Sequence, residues 1–249
     1  MGPVVVTSAM KGAVQRNFDA SVSAYDAYER RTHRFTALAR LLGAEMAARA
    51  AGPFDRLLDA GAGSGVSTRV LAQRANQTVA LDLSREMLRA NDGDARVLAD
   101  FDRLPFADDS FDGVAFTASL FLVPDPTVAL TEARRVLRSG GVVGAVAPLG
   151  WYTDAGDDIF DSLPRDSRSP TPATEVAHAV ESAFSTTTGA WSFPTTAANV
   201  RQFHAIPAMA ARLFPRLDPD ERVQRTSDLL APLAGTFEQR WRWIVGVAD

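Results

Sequence analysis

Apolar positions recur at helical spacing through the first fifty residues. Phe18, Val22 and Tyr25 fall at i, i+4 and i+7, and Phe35, Leu38, Leu41, Leu42 and Met46 follow at similar intervals. This predicts helix over 13–49, broken by Ala51-Gly52-Pro53. The apolar runs then shorten and alternate with helical stretches. Strands are predicted at 56–60, 78–82, 95–99, 111–117 and 142–147, and a helix at 66–75. Ser84 is placed to cap the helix carrying Met87 and Leu88. Asp125 is placed to cap the next, with Pro126 in its first turn and Gly140 and Gly141 ending it. Strands alternating with helices at this spacing predict an α/β fold, a mostly parallel sheet with helices on both faces. Beyond Leu149 the rhythm changes. A Asp/Ser/Pro/Gly-rich stretch over 151–173 reads as a loop, followed by helix at 174–185 and strand at 186–193. Helical stretches at 196–215, kinked at Pro207, and 219–234 lead to a last strand at 241–247. There is no internal repeat and no low-complexity tract.

At 249 residues with 46% apolar and 22% charged side chains, the chain fits one folded domain. A net charge of -4 argues against a phosphate backbone as the main partner, so no nucleic-acid role is expected. The absence of cysteine removes disulfides, thiolate metal sites and a cysteine nucleophile. Three histidines without H-x-x-x-H or H-E-x-x-H spacing predict no metal site. The apolar run at 1–7 is too short for a signal-peptide core, and no stretch approaches the roughly 20 residues that span a bilayer. A soluble, cytosolic protein without membrane contact is expected, and nothing in the sequence sets its oligomeric state.

The chemistry concentrates at Asp59-Ala-Gly61-Ala-Gly63-Ser-Gly65, between a predicted strand and helix. Glycines there let the backbone turn sharply and let a ligand approach main-chain atoms. A dinucleotide-binding turn would carry its third glycine at position 66, which is Val. Asp82, ending the next strand, is placed to accept hydrogen bonds from two ribose hydroxyls. An acid at that place indicates adenosine without choosing between NAD and other adenosine cofactors.

Leu57-Leu-Asp-Ala-Gly-Ala-Gly-Ser-Gly65, Leu81-Asp-Leu-Ser-Arg-Glu-Met-Leu88 and Leu104-Pro-Phe-Ala-Asp-Asp-Ser-Phe-Asp112 resemble successive motifs of class I S-adenosylmethionine (SAM)-dependent methyltransferases. The likeness runs in the same order over about 55–150. It implies a Rossmann-like, seven-stranded, mostly parallel sheet with a helical lid, and SAM as cofactor. The turn residues Asp59, Ala60, Gly61, Gly63 and Gly65 are then assigned to the cofactor, with Gly61 and Gly63 near its methionine part and Asp82 at its ribose. Leu83 and Met87 would flank the adenine, Asp100 and Phe101 would hold its edge, and Thr117 would lie near the methionine end. Residues 14–26 resemble the first helix of two groups, the malonyl-carrier-protein O-methyltransferases of biotin synthesis and the quinone C-methyltransferases. The Thr117-Ala-Ser-Leu120 stretch differs from the Asn/Asp-Pro-Pro-Tyr segment of nucleic-acid N-methyltransferases.

The expected division is a core of 50–150, 174–193 and 236–249 under lid segments 1–49 and 194–235. The expected acceptor is a small molecule or carrier-bound acyl group, methylated on a carboxylate or other oxygen. Tyr25, His33 and His204 are the catalytic candidates. Tyr25, Phe121, Trp151, Arg201 and His204 are candidates for the acceptor pocket, with Leu122 beside Phe121 and Tyr152 beside Trp151. Arginines 30, 31, 34 and 201 are candidates to grip an acidic group, against the alternative that they solvate helix faces. Two other functions stay open: a nucleotide-dependent oxidoreductase, and a SAM-binding protein without catalysis.

Overall fold

The computed structural model describes residues 8–161, 163 and 171–249. Seven strands form one sheet: β1 (Phe54–Ala60), β2 (Ala75–Asp82), β3 (Ala95–Leu98), β4 (Phe111–Phe116), β5 (Leu137–Tyr152), β6 (Ser185–Thr196) and β7 (Thr236–Val247). Their order is β3-β2-β1-β4-β5-β7-β6, with β7 antiparallel to both neighbours and the remaining pairs parallel. The strand order therefore reverses between β1 and β4, where an open parallel sheet leaves a crevice at the carboxyl ends of its strands. Ten helices accompany the sheet among the described residues.

Local chemistry sets several boundaries. Ser84 Oγ accepts from Met87 N at 3.1 Å, starting α5 (Arg85–Ala90), and Asp125 accepts from Thr127 N at 2.9 Å, starting α6 (Pro126–Val136). Gly140 and Gly141 do not end α6 as expected. The helix stops at Val136 because Leu137 is already extended (φ -79, ψ 135) and enters β5. Both glycines lie inside that strand, where pairing with β4 skips from Phe111–Leu137 to Gly113–Val142. β5 also runs past the expected 147 to Tyr152, so Trp151 and Tyr152 are strand residues. Pro207 breaks the 196–215 helix instead of kinking it, leaving α8 (Ala197–His204) and α9 (Pro207–Leu213), with the proline in the first turn of α9.

The first fifty residues form α1 (Ser8–Asp19), α2 (Val22–Thr32) and α3 (Arg34–Ala47). α3, inside the expected lid, packs on the sheet. Its Leu38, Leu42 and Met46 are fully buried in the main core, and a Cβ on Gly144 of β5 would fall 2.6 Å from Met46 Sδ. Burying each such side chain stabilises by about 1.5–3 kcal/mol, enough to fix α3 to the core. A second apolar cluster joins Tyr28 of α2 to Trp151, Phe160, Phe203, Met209 and Leu230, so the end of β5 and the helices after β6 pack as a layer of their own.

Candidate functional site

The turn after β1 is held by its neighbours. Gly61 N and Ala62 N donate to Leu81 O at 2.8 and 3.0 Å, so the turn hangs on the end of β2. Gly61 has φ +80, and a Cβ there would lie 2.4 Å from Ser119 Cβ, so no other residue fits. Gly63 (φ +53) is different. A Cβ there would meet nothing nearer than Met87 Sδ at 4.0 Å, because open space lies above it.

That space is a cavity of about 460 Å³, within the range of ordinary ligand sites. Of the residues picked from the sequence, Tyr25, Gly61, Gly63, Asp82, Leu83, Met87, Asp100, Phe101, Thr117 and Leu122 line it. Asp82 accepts from Gly63 N and Ser84 N, each at 2.8 Å, one on either carboxylate oxygen. Burial raises its pKa, against the pull of these two N–H groups. Thr117 is buried, and its hydroxyl has no hydrogen-bond partner among the described residues. Open space over a glycine turn, an acid at the end of each of two adjacent strands and an unpaired hydroxyl make a donor set that fits an adenosine cofactor.

Other assigned residues lie elsewhere. Asp59, Ala60 and Gly65 are behind the cavity wall. Asp59 is fully buried and accepts from Ser67 Oγ at 2.7 Å and Thr68 Oγ1 at 2.8 Å, tying the turn to α4 (Val66–Leu71). Burial pushes its pKa up to about 6, with the two hydroxyls opposing. Ala60 O accepts from Ser119 Oγ at 2.6 Å, and Gly65 is the left-handed residue before α4.

Neither histidine candidate reaches the cavity. His33 is exposed in the left-handed link between α2 and α3. His204 is buried against Trp151, Phe160 and Phe203, with Nδ1 2.8 Å from Val200 O. Trp151 packs against the same rings, and neither residue lines the pocket. Phe121 is buried against Trp241 and lies beneath the Arg212 guanidinium, beside the cavity wall. Arg201 donates to Leu233 O at 2.6 Å, bracing α8 to the turn after α10 (Pro219–Leu230). Arg30 and Arg31 are exposed, and Arg34 is buried over the Phe193 ring at 4.0 Å. None of the four arginines lines the cavity.

Lys11, Ser119 and Arg212 also line the cavity, and the sequence reading did not find them. Ser119 lies in the stretch after β4, where a single serine carries no pattern of its own. Lys11 and Arg212 carry no local signal, since each is a single charge on a helix placed by tertiary packing. The N-terminal helices close over the site through polar contacts. Asp19 accepts from Ser84 Oγ at 2.6 Å, Asp26 accepts from Ser64 Oγ at 2.9 Å, and Ser21 Oγ accepts from Ala208 N at 3.0 Å. No group of three or more residues able to hold a metal ion occurs among the described residues, nor any helix long and apolar enough to cross a membrane.

Residues 58–144 match a family model described as a methyltransferase domain. The demethylmenaquinone methyltransferase of Mycobacterium marinum is 46% identical over 92 residues, 36% of this chain and 40% of the relative. That of Clavibacter sepedonicus is 39% identical over 140 residues, covering 52% and 56%. The chain therefore spans about half the length, or less, of these curated relatives. Among solved structures, the 1,6-didemethyltoxoflavin-N1-methyltransferase of Burkholderia thailandensis, with bound 1,6-didemethyltoxoflavin and S-adenosylhomocysteine, superposes with TM-score 0.54. It covers 100% of this chain and 94% of its own at 17% identity, a likeness of fold. In its glycine turn, its sheet order and the match over 58–144, the chain is similar to the class I SAM-dependent methyltransferases.

Proposed function

We propose that the cavity binds SAM and passes its methyl group to a small acceptor with an apolar body. The observation that carries this reading is the convergence of Asp82, Asp100 and the Gly61–Gly63 turn on one cavity. When bound, SAM supplies a methyl group already activated on a sulfonium. The chain's own task is to hold the acceptor in line with that methyl, a proximity effect. Asp82 would take the ribose hydroxyls, Asp100 the adenine amine, and the open face of Gly63 the methionine part. Tyr25, Phe35, Leu122 and Val123 form an apolar wall that would seat the acceptor and exclude water. Burial holds the Tyr25 hydroxyl well above the usual tyrosine range, so it stays neutral and acts as a donor.

The demethylmenaquinone methyltransferases favour an apolar, oxygen-bearing acceptor as the starting point. A carrier-bound acyl group and a cytosolic location remain parts of the proposal. Val66 lines the cavity where a dinucleotide turn would bear its third glycine, which disfavours an oxidoreductase. Incubation with methyl-labelled SAM and a panel of apolar phenols, acids and amines, read by mass spectrometry, tests the reading. A labelled product together with S-adenosylhomocysteine supports it. SAM binding without transfer to any panel member would point to a non-catalytic SAM-binding protein.

A further inference from the structure

Three aromatic rings in the cavity wall are left only half-buried: Phe18, Tyr25 and Phe35. Phe18 and Tyr25 stack at 20° with ring centres 6.0 Å apart, and Phe35 lies 5.4 Å from Tyr25, so the three are continuous. α9 stands beside them. Its Ala208 N donates to Ser21 Oγ at 3.0 Å, while Ser21 N donates to Phe18 O and Tyr25 N donates to Ser21 O. Helical spacing gives α9 two faces. Ile206, Met209 and Leu213 are buried in the second apolar cluster. Ala208, Ala211, Arg212 and Pro215, at i, i+3, i+4 and i+7, line the cavity. Two of the four cavity-facing positions beside the aromatic rings therefore carry no more than a methyl group.

We infer that Ala208 and Ala211 set the size of the acceptor that the site admits. A flat aromatic acceptor would lie on Phe18, Tyr25 and Phe35 and extend over the two alanines, whose short side chains leave it room. This rests on the methyltransferase reading and deepens it by naming the residues that decide specificity. Uncovered apolar surface inside a cavity favours an apolar occupant, and aromatic faces add a preference for another ring. A longer side chain at 208 or 211 would fill the space that the far end of such an acceptor needs. Asp82, Asp100 and Gly63, proposed to hold the cofactor, lie at strand ends and not on α9, so the alanines act on the acceptor alone.

The test compares 2-naphthol with phenol, which share a hydroxyl and differ by one fused ring. Binding to the full chain is measured by titration calorimetry, with and without S-adenosylhomocysteine. The wild-type protein should favour naphthol by about tenfold or more. Ala211→Leu and Ala208→Leu should each weaken naphthol by about tenfold, leaving phenol within about threefold and S-adenosylhomocysteine within about twofold. Equal losses for both probes, or no loss for either, would overturn the inference. So would a wild-type protein that, loaded with S-adenosylhomocysteine, binds neither probe. Should the leucine variants fail to fold, Ala211→Val decides, because its smaller side chain should still weaken naphthol several-fold more than phenol. Absent heat with S-adenosylhomocysteine would count against the cofactor reading, whereas the change in the naphthol-to-phenol ratio reports on the alanines alone.

Discussion

Lys11 on α1 forms an ion pair with Asp100, the carboxylate after β3 that the resemblance assigns to the adenine edge. The same ammonium reaches Asp102 at 2.9 Å. Lys11 is the only lysine in the chain. Burial opposes its charge, but the bonds to the two carboxylates outweigh this and raise its pKa. An adenine amine approaching Asp100 would have to share that carboxylate with α1.

Reductive methylation with labelled formaldehyde would therefore place one side-chain probe on the chain, at Lys11. Its resonance should shift on adding S-adenosylhomocysteine, and a resonance indifferent to saturating ligand would separate Asp100 from the adenine. The pair is about a third exposed on the lysine side, so Lys11→Met should cost no more than about 1 kcal/mol of global stability. Hydrogen exchange over 8–19 should nevertheless rise, because α1 loses its tether to the 100–102 turn.

Asp59 supplies a pH dependence whose sign is fixed. Its folded pKa of about 6 lies above the unfolded value of 3.8. Between these values the folded state holds the proton more tightly, so its contribution to stability is greatest below pH 3.8 and declines as pH rises to 6. The full change is about 3 kcal/mol. Asparagine keeps an oxygen for Ser67 and Thr68 but does not titrate. Asp59→Asn should thus gain on the wild type by about 1.4 kcal/mol per pH unit between pH 4 and 6, read from denaturant midpoints. A stability difference flat across that range would show that Asp59 ionises as an ordinary carboxylate.

Gly61→Ala should destabilise by about 1–3 kcal/mol from its positive φ alone, with a further loss from the 2.4 Å approach to Ser119 Cβ. Ser119→Gly removes that atom but also the bond from Ser119 Oγ to Ala60 O. The double variant should therefore be more stable than the sum of the single losses. Strict additivity in thermal unfolding would mean that the two residues are not in contact.

The parts legible in the sequence share one property. Asp82, Asp100 and the glycine turn lie at strand ends, where a short local pattern fixes both the backbone and the residue's direction. The caps at Ser84 and Asp125 are local for the same reason. What escaped depends on distant packing. His204 and Trp151 look like pocket residues by sequence position, yet each is buried against the other and Phe203, and neither lines the cavity. Arg212 lines the cavity from α9, whose first turn is tied to Ser21, 187 residues away, by the bond from Ala208 N to Ser21 Oγ. α3 has the same amphipathic pattern as α2, and its place on the sheet depends on Gly144 admitting Met46, which helical periodicity does not reveal.

Arg201 provides a control for acceptor recognition. Its bond to Leu233 O braces the helical layer without lining the cavity. Arg201→Ala should cost about 1–2 kcal/mol of stability and leave the Michaelis constant for an acidic acceptor within about twofold. A tenfold rise in that constant, with the fold intact, would put Arg201 in the substrate's path.

Titration calorimetry with SAM, S-adenosylhomocysteine and NAD, on the wild type and Asp82→Ala, tests the central claim that this cavity is a SAM site. The expected result is micromolar binding of the first two and little heat with NAD. Asp82→Ala should weaken SAM by about 2–4 kcal/mol through loss of charge-assisted hydrogen bonds. Heat with NAD and none with SAM, or SAM binding unaffected by Asp82→Ala, would contradict the account.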